Sequence, residues 1–310
     1  MASGGACGRG RSLIDTPRVK ATPPFLRPIC AVVHSRLDQA LEARVLLTDT
    51  FTFIHQPKTG GTFVTAMLTR LHEARGDRVV TIWSDPSNPA PPPVVTPGTI
   101  VKLMLTTRNQ HGRRADIPVD HANKAVLAAV RTPYDRYVSQ YEFAWWRRYP
   151  EMFGPVDTVR RRFPAYPDLT FAEFVALTND VSVPYHAARY PDDTPGFHTQ
   201  QFVEYFFRDP DAIWPRLESP DEAAALAAEA HDGIRFLDQQ HLNRDLASFL
   251  DEVGYRADEV ATVLDADRIW PPEGGRADDA RWEQYYTPEL KALVRRKERW
   301  LFEWFPHFDV

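Results

Sequence analysis

The chain has little cysteine, no long apolar run and no excess of positive charge. Its 310 residues include two cysteines, Cys7 and Cys30. Two cysteines cannot build a disulfide framework, and a reducing compartment fits that usage. No stretch of about 18 apolar residues occurs, so no integral membrane segment is expected. No apolar core of about 7–15 residues follows the Gly-, Ser- and Arg-containing start, so a secretory signal is not expected either. A cytoplasmic location is the expectation. The 42 acidic residues outnumber the 37 basic ones, for a net charge of −5. Bulk attraction to nucleic acid or to an anionic membrane is therefore not expected, although local basic pockets are allowed. No Cys or His cluster has metal-ligand spacing, and no metal is expected. No internal repeat and no Gly- or Ser-rich linker divides the chain.

What is present is ordinary for a soluble globular protein: 43% hydrophobic and 25% charged residues. Residues 1–48 read as a partly disordered N-terminal extension, with a short amphipathic helix expected over 36–47. Residues 49–310 read as one domain. Phe51 to His55 is a short apolar run stopped by Gln56-Pro57, as expected of a buried strand. Thr62 to Arg75 has helical spacing, with Gly76 as its stop. Val79–Trp83, Ile100–Thr106, Ala125–Val130 and Ile234–Leu237 read as further strands. Pro133 opens a helix expected to reach Arg148. Later helices are expected over 221–230, 240–253 and 288–305. Short apolar runs alternating with helices predict an α/β fold with a central parallel sheet flanked by helices.

Two segments carry chemistry. The first is Gln56-Pro57-Lys58-Thr59-Gly60-Gly61-Thr62, between a strand and a helix. Glycines there leave backbone N–H groups converging at a helix N-terminus, which favours an anion. Lys58 adds a full charge, and Thr59 and Thr62 add hydroxyls. The order is not that of the Walker A loop, whose Lys follows the glycines. The second segment is Val130-Arg131-Thr132-Pro133-Tyr134-Asp135-Arg136-Tyr137-Val138-Ser139. Arg131 ends a strand, where open α/β sheets hold their ligands. Ser139 lies two turns into the helix that follows. Arg and Ser together suit a phosphate. Arg136 reads as a surface ion-pair residue.

Phe53-Ile-His-Gln-Pro-Lys-Thr-Gly-Gly-Thr62 resembles the 5′-phosphosulfate loop of sulfotransferases that use 3′-phosphoadenosine-5′-phosphosulfate (PAPS). It is most similar to the branch of Golgi carbohydrate sulfotransferases and their bacterial relatives. The second segment resembles that family's 3′-phosphate motif, R-x-P-x-x-R-x-x-S. Tyr285-Tyr-Thr-Pro-Glu-Leu290 is similar to the family's closing helix, and Gly274-Gly275-Arg276 resembles its Gly-Arg segment over the nucleotide. The resemblance covers roughly 50–310, weakly over 150–230. It implies a P-loop-like, three-layer sulfotransferase fold. It implies that Lys58, Thr59, Gly60, Gly61 and Thr62 hold the 5′-phosphosulfate, that Arg131 and Ser139 hold the 3′-phosphate, and that Arg276 lies over the nucleotide.

Sulfuryl transfer also needs a base for the acceptor hydroxyl, and His is the residue type suited to pH 7. His111 is the first candidate, in the turn after the strand that begins at Ile100. His121, Glu142 and His198 follow it, whereas His55 reads as packing. Trp145 and Trp146 read either as core or as a stacking surface for the acceptor, a glycan, a lipid headgroup or a small molecule. A P-loop kinase and a non-catalytic nucleotide-binding protein are the alternative readings. The kinase reading lacks the Gly-Lys-Ser/Thr order and a clear Mg²⁺-binding Asp.

Overall fold

The computed structural model describes residues 45–84, 95–105, 112–181, 195–218, 220–269, 276 and 280–310. The extension as far as residue 44, both cysteines, His111 and the pair Gly274–Gly275 lie outside the described residues. Strand β1 (Val45–Leu47) and strand β2 (Phe51–Ile54) form a hairpin. Thr48 closes it: its N–H donates to the Phe51 carbonyl (3.0 Å), and its hydroxyl accepts from the Phe51 N–H (2.9 Å). Helix α1 (Gly61–Ala74) follows, then β3 (Arg78–Ser84), β4 (Thr99–Leu105) and β5 (Ala125–Val130). Next come α2 (Pro133–Phe143), α3 (Trp145–Arg148), α4 (Val156–Arg162), α5 (Phe171–Val181), α6 (Phe197–Phe206), α7 (Pro210–Ile213) and α8 (Ala223–His231). The chain then gives β6 (Ile234–Asp238), α9 (Leu242–Glu252), α10 (Ala257–Leu264), α11 (Pro288–Lys297) and α12 (Arg299–Trp304).

The result is an α/β architecture with a central six-stranded sheet, in the order β3-β4-β1-β2-β5-β6, flanked by helices. Strand residues alternate between two cores, as the period of two requires. Phe51, Phe53, Leu127, Ala129 and Leu237 face α1, α9 and α10. Ile54, Val126, Ala128, Val130 and Ile234 face α2, α5, α6, α8 and α12. Burial on both faces explains the continuous apolar runs of the sequence. Each fully buried large apolar side chain contributes about 1.5–3 kcal/mol.

Four expectations need correction. Val45–Leu47 is strand, not the end of a helix over 36–47, and it sits mid-sheet, inside the stretch read as extension. The sheet is mixed, because β1 runs antiparallel to both β2 and β4, while the other pairings are parallel. A three-residue turn between β1 and β2 is too short for a crossover, so the pair must be antiparallel. The helix from Pro133 stops at Phe143 rather than Arg148. Ala144 takes the left-handed conformation (φ 52°), and its N–H donates to the Gln140 and Tyr141 carbonyls. The closing helix breaks at Glu298, whose side chain is fully buried. Among the described residues no helix is long and apolar enough to cross a membrane.

Candidate active site

Strands β2, β4, β5 and β6 point the same way, so Ile54, Leu105, Val130 and Asp238 end at one edge of the sheet. The loop from His55 to Gly60 leaves β2 at that edge and enters α1. Its shape depends on both glycines. Gly60 is the residue before the helix and has φ 98°, where an L side chain is strained; a Cβ there would also meet the Leu242 side chain. A Cβ on Gly61 would run into the His55 ring. His55 is thus the buried floor of the turn, a packing role as expected. Thr59 is buried, and its hydroxyl donates to the Gln56 carbonyl (2.9 Å). Lys58 adopts φ 62°, so the loop carries strain at a charged residue. The start of α1 has no side-chain cap and no acidic residue in its first turn. The first N–H groups of a helix have no intrahelical partner, and here no side chain takes the N-cap role.

The structure brings the second segment onto this loop. Arg131 follows β5, and its Nη1 donates to the Lys58 carbonyl (3.3 Å). The Arg136 Nε donates to the Pro57 carbonyl (3.1 Å) and its Nη2 to Gln201 Oε1 (2.6 Å). Arg136 is 2% exposed. It is a buried brace of the loop and not the surface ion-pair residue that the sequence suggested. Burial pushes its pKa down to about 10. Asp135, one turn beyond Arg131, accepts from Arg131 Nε (2.6 Å) and from Arg276 Nη1 (2.5 Å). Burial pushes the Asp135 carboxyl up, but the two guanidiniums outweigh it and hold the group below its ordinary value. Arg131 and Arg276 thus converge on one carboxylate, and Lys58 and Arg136 lie alongside. Cationic groups outnumber the one acid that joins them, which favours an anionic ligand.

Helix α2 organises the far side. Asp135, Ser139 and Phe143 are spaced by four residues and share one face. Phe143 lies under the Lys58 amine, with Nζ 3.5 Å from the ring centroid. Ser139 is half-buried and stands one turn from Asp135 and one turn from Phe143 along α2. The sequence-expected Lys58, Thr59, Gly60, Gly61, Thr62, Arg131, Ser139 and Arg276 are therefore gathered in one region.

The base candidates part company. His111 lies outside the described residues; β4, which precedes it, ends at the same edge as the loop. His121 is buried in a turn before β5, at the opposite edge of the sheet. Six strand residues at about 3.3 Å each separate it from Arg131, so His121 stands apart from the Lys58 and Arg131 segments. Burial lowers its pKa. His198 is fully buried in α6, packed at a tilt against Tyr137 (4.0 Å between ring centroids) and bonded through Nε2 to Gln140 Oε1 (3.0 Å). Burial, then Arg136 and Arg131, push it well below its ordinary value. It is enclosed behind the site. Glu142 is exposed and accepts from the Tyr285 hydroxyl (2.8 Å). Trp146 is buried core, whereas Trp145 is half-buried and stacks on Phe143 (5.5 Å between centroids, 8° between planes). Among the described residues no group of three His, Cys, Asp or Glu could hold a metal ion.

The roles of Asp135, Arg136 and Phe143 were not read from the sequence. Their signals were positional: Asp135 four residues from Arg131, Phe143 four from Ser139, and Arg136 within the R-x-P-x-x-R pattern. No family model matches the chain, and no curated protein matches it in sequence. Among solved structures it is similar to a mouse sulfotransferase complexed with PAP. The identity is 14% and the TM-score 0.41, over 83% of this chain and 84% of that one.

Proposed function

We propose that the protein is a sulfotransferase that uses PAPS and carries its sulfuryl group to a hydroxyl of a small-molecule or glycan acceptor. The observation that carries this reading is the joining of two anion-binding segments at one sheet edge, with Arg131 donating to the Lys58 carbonyl. The donor's two negative ends need such a pair of cationic sites. Lys58, Thr59, Gly60, Gly61 and Thr62 are assigned to the 5′-phosphosulfate, Arg131 and Ser139 to the 3′-phosphate, and Arg276 to a segment over the nucleotide. The motif wording supports the branch of Golgi carbohydrate sulfotransferases and their bacterial relatives. The sheet, which begins at Val45, supports one catalytic domain from there to the end of the chain given. No resident metal is needed for this chemistry, and a cytoplasmic location fits the sparse cysteines.

The acceptor oxygen attacks sulfur in line while the bond from sulfur to the bridging phosphate oxygen breaks, and charge gathers on that oxygen. The start of α1, which no side chain caps and no acid flanks, and the Lys58 ammonium are the groups assigned to stabilise it. The acceptor proton goes to a base, for which we retain His111; β4 delivers the chain toward that edge. Thermal denaturation with PAPS, PAP and ATP, each with and without Mg²⁺, tests the assignment. PAPS and PAP are expected to raise Tm without Mg²⁺, by mass action on the folded state. A shift with ATP that requires Mg²⁺, and none with PAP, would overturn it in favour of a kinase.

A further inference from the structure

Two non-glycine residues among those described have positive φ, Lys58 and Ala144. Both serve one contact. At Lys58 the left-handed turn leaves the amine over the Phe143 ring, 3.5 Å from its centroid. At Ala144 the left-handed turn ends α2 and folds Trp145 back, so that its ring lies nearly parallel to that of Phe143, 5.5 Å away. Trp145 in turn packs on Tyr149 (4.5 Å). Backbone strain at two separate points persists only where surrounding structure over-determines it, and it gathers at functional sites. A cation over an aromatic face is attracted by the ring's negative quadrupole, which fixes direction without consuming the N–H donors of the ammonium. The same face of α2 carries Asp135, which holds Arg131 and Arg276. One helix face therefore sets both halves of the cationic region, the guanidiniums through a carboxylate and the ammonium through a ring.

We propose that Phe143, backed by Trp145, is a positioning residue that aims the Lys58 ammonium for sulfuryl transfer. This rests on the sulfotransferase reading, and the experiment separates the two. Isotope-labelled lysine gives an NMR signal for the Lys58 ε-methylene, assigned by its loss in Lys58→Arg. Placed over the ring, that signal is expected upfield of the other lysines. Phe143→Leu should return it to the common position, whereas Phe143→Tyr should keep it upfield. With radiolabelled PAPS, transfer in a single turnover (to water or to any working acceptor) should fall about tenfold in Phe143→Leu, the size of one such contact. Calorimetric affinity for PAP should stay unchanged, and Phe143→Tyr should restore the rate. A Lys58 signal that is not shifted in the wild type overturns the contact and leaves the sulfotransferase reading standing. A wild-type rate in Phe143→Leu, or an equal loss in Phe143→Tyr, overturns the positioning role. If PAP does not bind the wild type, the reading itself fails, whatever the NMR signal shows.

Discussion

Lys58 holds a conformation that costs an L residue energy, and its charge sits where a helix N-terminus already favours an anion. An interaction that strengthens as charge develops lowers the barrier, while one that is equal in ground and transition states does not. Lys58→Ala is therefore expected to cut turnover by about two orders of magnitude or more. Far-UV circular dichroism should show the fold retained, since the Lys58 side chain is only half-buried. Arg131 should behave differently, because the phosphate assigned to it does not react. Removing one charge-assisted contact costs about 1.5–3 kcal/mol, so Arg131→Ala should weaken PAP binding by that amount. Its partner complicates the result in a useful way: Asp135 keeps Arg276 when Arg131 is lost, so the region loses one cation and not its acid. Calorimetry with a donor analogue lacking the 3′-phosphate checks the assignment. That ligand should bind the wild type much more weakly than PAP does, and the gap should narrow in Arg131→Ala.

Helix α6 is preceded by Gly196, which has no side chain to cap it. Glu298, at the break between α11 and α12, supplies the missing cap from far along the chain. Its carboxylate accepts from the His198 N–H (3.1 Å), the Thr199 N–H (2.8 Å), the Thr199 hydroxyl (2.8 Å) and the Tyr137 hydroxyl (2.5 Å). A Cβ at position 196 would collide with that carboxylate, so the glycine makes room for it. Three elements, α2, α6 and the closing pair, thus meet on one buried group. Glu298→Ala would take the carboxylate acceptor from two helix N–H groups and the Thr199 hydroxyl, while the Tyr137 hydroxyl would keep Asn179 Oδ1 (3.3 Å). The expected loss is about 1–3 kcal/mol for each buried donor left unsatisfied, read as a lower denaturant midpoint. Gly196→Ala should destabilise by the separate route of collision. The sequence showed the closing helix but not its break, because α11 and α12 together keep the apolar spacing of one helix. Only the tertiary demand for a cap shows why residue 298 turns inward.

At the scale of the whole molecule, the strands at the centre of the sheet, the loop after β2 and the turn after β5 were legible in the sequence. Each is a local pattern: an apolar run buried on both faces, then glycines or proline that end it. What was not legible is long-range. The antiparallel β1 depends on Thr48 closing a hairpin, and Arg136 depends on Pro57 and Gln201 reaching it from other elements. The distribution of histidines has the same long-range origin and leads to a pH dependence. His72, His121 and His198 are each buried, and burial is the largest influence that lowers the pKa of each below the ordinary 6.5. In the unfolded chain these rings take up protons near about 6.5. A depressed folded value means that the unfolded state binds more protons below that pH. Their contribution to stability is then fully present above about 6.5 and is lost as pH falls toward the folded values. The slope is about 1.4 kcal/mol per pH unit for each histidine that stays neutral in the fold. His198 has the added opposition of Arg136 and Arg131, so it should resist protonation. His198→Gln, which keeps a polar group near Gln140, should reduce the acid slope by about one proton. Urea midpoints from pH 7 down to the acid transition, compared between wild type and variant, measure it. An identical slope in both would show that His198 is charged within the native fold, against the burial and the two guanidiniums that surround it.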